Sequence, residues 1–283
     1  MNSKNLVRSP LLSGIFYPSD GNHLKSEMSK ICESARALSQ PAFAIISPHG
    51  SLNYSGKIAA KAWGALIGAA PSLIIIAGSA HSPYEEGIFF PESTRFDIPG
   101  ATLSVDSVLE ECLFQQVENL KMNDSPHLED HSIEMQLLFA SHFFPGVPIL
   151  PFIISGCSET TIETALQLMK AIAPLMDQGA ALVISSDFAV SNTPEECDAL
   201  SRKFIDSLVN PECTYVDDVH RMTHSFCGEA AIRSFMRAHP HIAPVVLDYV
   251  NSSMLRQNSD ELVVGYAALY FTRSRNEFLH TRE

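Results

Sequence analysis

The sequence predicts an α/β fold, a three-layer α/β/α sandwich around a mixed, largely parallel central sheet. Three observations carry that prediction. Short runs rich in Ile, Leu and Val alternate along the chain with longer amphipathic segments. Several of those runs are apolar on both faces, as central strands covered by helices on each side are. Three of them also end alike. "AIISPHG" stops on His49, "LIIIAGSAH" on His81 and "ALVISSDF" on Asp187.

In chain order, Phe43–Ser47 is expected as the first strand. Ser55–Ala69 follows as a helix, with Ile58, Ala62, Ala65, Leu66 and Ala69 at helical spacing. Leu73–Ala77 is the next strand. From Phe89 to Asp106 the pattern changes: Pro91 and Pro99 interrupt it while Phe96, Ile98 and Leu103 alternate. That segment reads as extra strands or an excursion, which makes the sheet mixed. Ser132–Phe143 is a helix with Ile133, Gln136, Leu137 and Ala140 on one side, and Val147–Ser155 is a strand. Thr160–Met176 carries Ile162, Leu166, Met169 and Ile172 and is again helical, and Ala181–Ser185 is a strand. Pro194–Leu208 and Gly228–Ala238 are helices, and Pro244–Val250 and Leu262–Thr272 close the series as strands. No repeat or low-complexity linker divides the chain, so residues 1–283 are read as one domain.

Composition removes several functions. The 283 residues are 46% hydrophobic and 18% charged, an ordinary globular balance with mean hydropathy of +0.07. A formal net charge of −13 speaks against nucleic acid or an anionic membrane surface as partner. No apolar run approaches the length of a membrane span, and the N-terminus has no sustained apolar stretch of a secretory signal. Cys32, Cys112, Cys157, Cys197, Cys213 and Cys227 are scattered without a CxxC pair, as reduced intracellular thiols are, so a cytoplasmic protein is expected.

Ligands in open α/β sheets bind outside the carboxyl ends of the strands. His49, His81 and Asp187 sit at such ends, so three neighbouring parallel strands would bring them to one cleft. A single histidine after a strand is commonly a hydrogen-bonded structural residue; it is the set, at the edge where loops carry function, that points to chemistry. "EDHSIEMQ" opens a helix with Asp130 as candidate N-cap. His131 and Glu134 lie three apart, a spacing that can put both in one site; the plain alternative is a capped, solvated helix start. In "HSFCGEAAI", Cys227 precedes Gly228 at a predicted helix start, where the helix terminus would lower the thiol pKa. The alternative there is a buried apolar cysteine. No G-x-S-x-G elbow, P-loop or dinucleotide fingerprint is present.

Taken in order, "SGIFYPSD", "SPHGSLNYSG", "AGSAHSPY", "EDHSIEMQLLF", "SSDF", "FCGEAAI" and "LDYVNSS…VVGYAALYF" span nearly the whole chain. The ordered set resembles the Memo family, also called the AmmeMemoRadiSam system protein B family, a relative of the extradiol-type non-haem iron dioxygenases. The resemblance implies their α/β fold and a metal site at the sheet's carboxyl edge. It would be formed here by His49, His81 and Cys227, with His131 and Asp187 lining the cleft as catalytic candidates. Two imidazoles and a thiolate leave an open coordination position, and replacing a carboxylate by sulfur shifts preference toward softer ions. Iron or zinc is expected, with copper as a further candidate. The family's Gly-Pro-Ser-His-His segment reads Gly78-Ser79-Ala80-His81-Ser82 here, and Val190 stands where Ser-Ser-Asp-Phe-x-His carries its histidine. In the dioxygenase relatives that last position resembles the catalytic base.

The expected function is therefore a metal-dependent oxidoreductase of the Memo type acting on a small molecule. The alternatives are a non-catalytic protein holding a peptide or metabolite in the same cleft, and a metal-dependent hydrolase with Asp187 or His131 as base. The family resemblance also implies a functional link to radical-SAM-type proteins.

Overall fold

The computed structural model describes residues 6–82, 85–210, 226–255 and 262–273. Pro83 and Tyr84, and His224 and Ser225 at the start of the "HSFCGEAAI" segment, lie outside the described residues. In chain order the strands are β1 (Val7–Arg8), β2 (Ala44–Ser47), β3 (Leu73–Ser79), β4 (Gly87–Phe90), β5 (Arg95–Ile98) and β6 (Ala101–Ser104). They continue with β7 (Leu120–Met122), β8 (Ile149–Ser155), β9 (Ala180–Ser185), β10 (Val190–Ser191), β11 (Val245–Asn251) and β12 (Val263–Phe271). The helices are α1 (Gly21–Ile31), α2 (Leu52–Gly64), α3 (Ser107–Gln116), α4 (Ser125–Glu129), α5 (Ser132–Phe143), α6 (Glu159–Asp177), α7 (Pro194–Val209) and α8 (Glu229–Ala238).

The main sheet runs β10-β12-β2-β9-β3-β8-β4-β7, with β11 also paired to β12. Its centre, β2-β9-β3-β8, is parallel, and β12 and β4 flank it antiparallel. The sheet is mixed, as expected, and helices cover both faces. Period-two alternation sends each strand's apolar residues to two separate cores. Ile45, Ile74, Ile76 and Val183 pack with Leu24 of α1, Trp63 of α2 and Leu137 of α5. Ile46, Ile75, Phe152 and Leu182 pack with Leu168 of α6, Phe204 of α7 and Phe235 of α8. This is why the central runs read as apolar throughout: each side chain meets one core or the other. Among the described residues no helix is long and apolar enough to cross a membrane.

The excursion divides between two sheets. β4 joins the main sheet, while β5 and β6 form a hairpin turning at Pro99-Gly100 that pairs with β1 in a separate three-stranded sheet. The helix expected over Ser55–Ala69 begins earlier, at Leu52, and ends at Gly64, with Ile67–Ala69 as a 3₁₀ turn. The small polar residues of "SLNYSG" resemble a loop, but Leu52 is buried in the core beneath α2, and that burial extends the helix through them.

Two glycines let chain segments approach closely at the carboxyl edge of the sheet. A Cβ on Gly78 of β3 would lie 2.6 Å from Ser132 Oγ and 2.7 Å from Ile133 Cδ1, so its absence seats the start of α5 against the strand. A Cβ on Gly228 would lie 2.4 Å from Ser186 Cβ, so its absence brings the segment before α8 against the end of β9.

Candidate metal centre

β2, β9 and β3 are consecutive neighbours in the sheet. Each carries its titratable residue two positions beyond its last residue: Ser47 and His49, Ser185 and Asp187, Ser79 and His81. Parallel pairing aligns those ends, so the three side chains emerge side by side. α5 then adds His131 at its N-cap. The Ser132 hydroxyl fixes that junction by accepting from Ser79 N–H at 3.1 Å, its one hydrogen facing Asp130 Oδ1 at 2.5 Å and Ser79 O at 3.1 Å.

The three histidines form one cluster. Ring centroids are 5.0 Å apart for His49 and His81, 5.2 Å for His49 and His131, and 4.7 Å for His81 and His131. One nitrogen from each falls within 4.8 Å of the others, an arrangement that could hold a metal ion. Cys227 joins them with its Sγ 3.3 Å from His49 Nε2. Asp187 Oδ2 stands 3.9 Å from the same nitrogen, and its Oδ1 accepts from His49 N–H at 2.8 Å. His81, His131, Asp187 and Cys227 line a cavity of about 500 Å³ whose apolar wall includes Phe188, Val190 and Phe226.

Two histidines are held by their far nitrogen. Asp130 Oδ2 lies 2.8 Å from His81 Nδ1, and Ser185 Oγ lies 2.9 Å from His49 Nδ1. Each leaves Nε2 as the nitrogen not engaged by that partner, which is how a ligating imidazole is usually oriented. This donor set fits a divalent ion: several nitrogens with a sulfur beside them, two imidazoles braced from behind.

Burial governs the electrostatics. It drives the pKa of His49 well below the ordinary value, reinforced by the neighbouring His81 and His131. His131 moves down for the same first reason. At His81 burial also disfavours charge, but the hydrogen bond and charge of Asp130, together with Cys227, outweigh it and push the group up to about 10. Burial raises Asp187 to about 6.

Several expectations are revised here. Cys227 does not show a lowered pKa; burial is the largest influence and raises it. The helix begins only at Glu229, with Gly228 as N-cap, so the thiol lies outside the first turn where the dipole acts. Glu134 does not share a site with His131. Its carboxylate pairs with Arg8, and accepts from Tyr17 OH and from the N–H groups of Leu11 and Leu12. Asp130 does not serve as the N-cap residue of α5, a position His131 takes; it partners His81 and accepts from Ser132 N–H at 2.7 Å. Sequence reasoning missed the roles of Ser185 and Gln136. The available signal was a glutamine on an otherwise apolar helix face, since a buried amide requires partners.

A family model described as Memo-like protein matches residues 8–270. A MEMO1 family protein of Methanosarcina mazei is 28% identical over 271 residues, covering 93% of this chain and 98% of that protein. One of Thermoplasma volcanium is 25% identical over 273 residues, with 95% and 99% covered. Another, of Methanococcus maripaludis, is 27% identical over 289 residues, with 93% and 99% covered.

Proposed function

The chain belongs to the Memo-like protein family, and from that premise we propose that it is a metal-dependent oxidoreductase, related to the extradiol-type dioxygenases, that acts on a small molecule. The observation that carries the proposal is the braced histidine cluster opening onto a cavity of small-molecule size. His49, His81 and Cys227 would hold a divalent ion, iron or zinc, or copper. His131 completes the three-histidine cluster beside them. The ion supplies Lewis acidity and, for iron or copper, redox capacity. Asp187 and His131 line the same cavity and are the groups placed to move a proton at a bound ligand. Phe188, Val190 and Phe226 exclude water from one wall and orient an apolar part of the ligand.

The test is the metal content of protein purified without chelator or nickel affinity resin. Close to one ion per chain is expected in the wild type, with large losses in Cys227→Ser and His49→Ala. No metal in the wild type after reconstitution, or occupancy indifferent to both substitutions, overturns the proposal. One observation favours a second reading, a protein that binds a metabolite or peptide without transforming it: Val190 lines the cavity at the position where the family resemblance implies a histidine. Metal-loaded protein that binds ligands but turns over none would select it.

A further inference from the structure

Behind the cluster lies a chain of buried hydrogen bonds with a determined direction. It starts at Trp63 of α2, whose indole N–H can only donate. That group lies 2.9 Å from Gln136 Oε1, so the amide oxygen faces Trp63 and the amide nitrogen faces the other way. The nitrogen meets Pro48 O at 3.0 Å, Ser47 O at 3.3 Å and Ser185 Oγ at 2.9 Å. The two carbonyls only accept, so both ends of the amide agree on one orientation.

Ser185 has one hydroxyl hydrogen and lies 2.7 Å from Ser132 O, a carbonyl that can only accept, so the hydrogen points there. Its oxygen is left to accept, once from Gln136 and once from His49 Nδ1 at 2.9 Å. Trp63, Gln136, Ser185, Ser132 and His49 are all buried, so water does not substitute for a misdirected bond.

We propose that Gln136 and Ser185, with Trp63 behind them, are positioning residues that hold His49 as the Nδ1–H tautomer and turn its Nε2 lone pair toward the Cys227 thiol. The other tautomer would set two lone pairs against each other at Ser185, or take the hydrogen from Ser132 O and leave that carbonyl without it. In the Nδ1–H form His49 Nε2 is an acceptor for the Cys227 thiol hydrogen at 3.3 Å, with Asp187 O at 3.4 Å as the other acceptor of that hydrogen, so the direction is set by the bonds behind the ring. The consequence for metal rests on the proposed metal site; the tautomer does not.

Two measurements separate them. In ¹⁵N-histidine-labelled, chelator-treated protein, two-bond proton–nitrogen correlations report the tautomer of each ring, with His49 assigned by its loss in His49→Asn. The expected wild-type pattern is a protonated Nδ1 and an unprotonated Nε2. In Ser185→Ala and in Gln136→Met, which keeps buried volume, a mixture of tautomers is expected. Zinc chloride titrated calorimetrically into the same proteins should show a loss of about 10–100-fold in affinity in Ser185→Ala, with far-UV circular dichroism unchanged. An Nε2–H or mixed wild-type ring overturns the proposal without recourse to any variant. Unchanged zinc affinity in a folded Ser185→Ala, when the wild type binds, overturns the positioning role. An Nδ1–H ring in a wild type that binds no zinc sustains the tautomer assignment and defeats the metal reading.

Discussion

Replacing Glu134 with Ala tests how the segment beside the cluster is held. Arg8 and Glu134 are 1% and 0% exposed and form an ion pair. The carboxylate also accepts from Leu11 N–H at 2.7 Å, Leu12 N–H at 2.8 Å and the Tyr17 hydroxyl. After the substitution Arg8 keeps only carbonyl partners at this site, His127 O at 2.9 Å and Asp130 O at 3.0 Å, and its charge is left buried without a counter-ion. Breaking a buried pair from one side costs about 3–5 kcal/mol, the range expected here because three further donors lose their acceptor together. Equilibrium urea unfolding followed by circular dichroism should show a lower midpoint at an unchanged slope. Arg8→Met combined with Glu134→Leu should lose less than Glu134→Ala alone, since no charge is stranded. The acid limb adds a sign. Burial works against the ionised carboxylate, but the Arg8 charge and the bonds from Tyr17, Leu11 and Leu12 win, so Glu134 titrates below its ordinary value of 4.5. Its contribution is present above pH 4.5 and is lost as pH falls through the folded-state value, so the gap between wild type and variant should narrow on acidification. The effect should reach the cluster, because Phe16 lies in the same segment with its ring 5.4 Å from His131 and its carbonyl bound by Leu52 N–H. A loss below about 1 kcal/mol, or a double variant weaker than the single one, refutes the reasoning.

Glu110 should act in the opposite sense. Burial, with Asp106 and Asp124 nearby, pushes its carboxyl up to about 8, and Oε1 is buried without a hydrogen-bond partner. Folding therefore favours the protonated form, and stability falls as pH rises from the ordinary value of 4.5 through about 8. The thermal midpoint of Glu110→Gln should gain on the wild type between pH 5 and 9; a constant difference would contradict this. Gly228→Ala should destabilise by about 1–3 kcal/mol and lower metal occupancy, because the new Cβ would lie 2.4 Å from Ser186 Cβ and displace the neighbouring Cys227. Retained midpoint and metal content together would show that the segment yields without moving the thiol.

The layered fold was legible in the sequence because burial on both faces leaves a direct trace: runs such as "LIIIAGS" have no polar face to show. The candidate edge was legible for a related reason, since "SPH", "SAH" and "SSD" each end an apolar run at the same offset. Partner choice was not. Asp130 is adjacent to His131 in sequence yet serves His81, and Glu134, one turn from His131, serves Arg8 from the far end of the chain. The Cys227 thiol followed burial rather than the helix terminus that its Gly228 neighbour suggested. Sequence spacing fixes which residues can share a face of one element, and hydrophobic pattern fixes which face turns inward. Which donor meets which acceptor depends on strand order and on how closely elements approach, and those distances are set by the packing of segments far apart in the chain. Trp63, Gln136, Ser185 and His49 come from three elements and a loop, and only the tertiary structure placed them in one line.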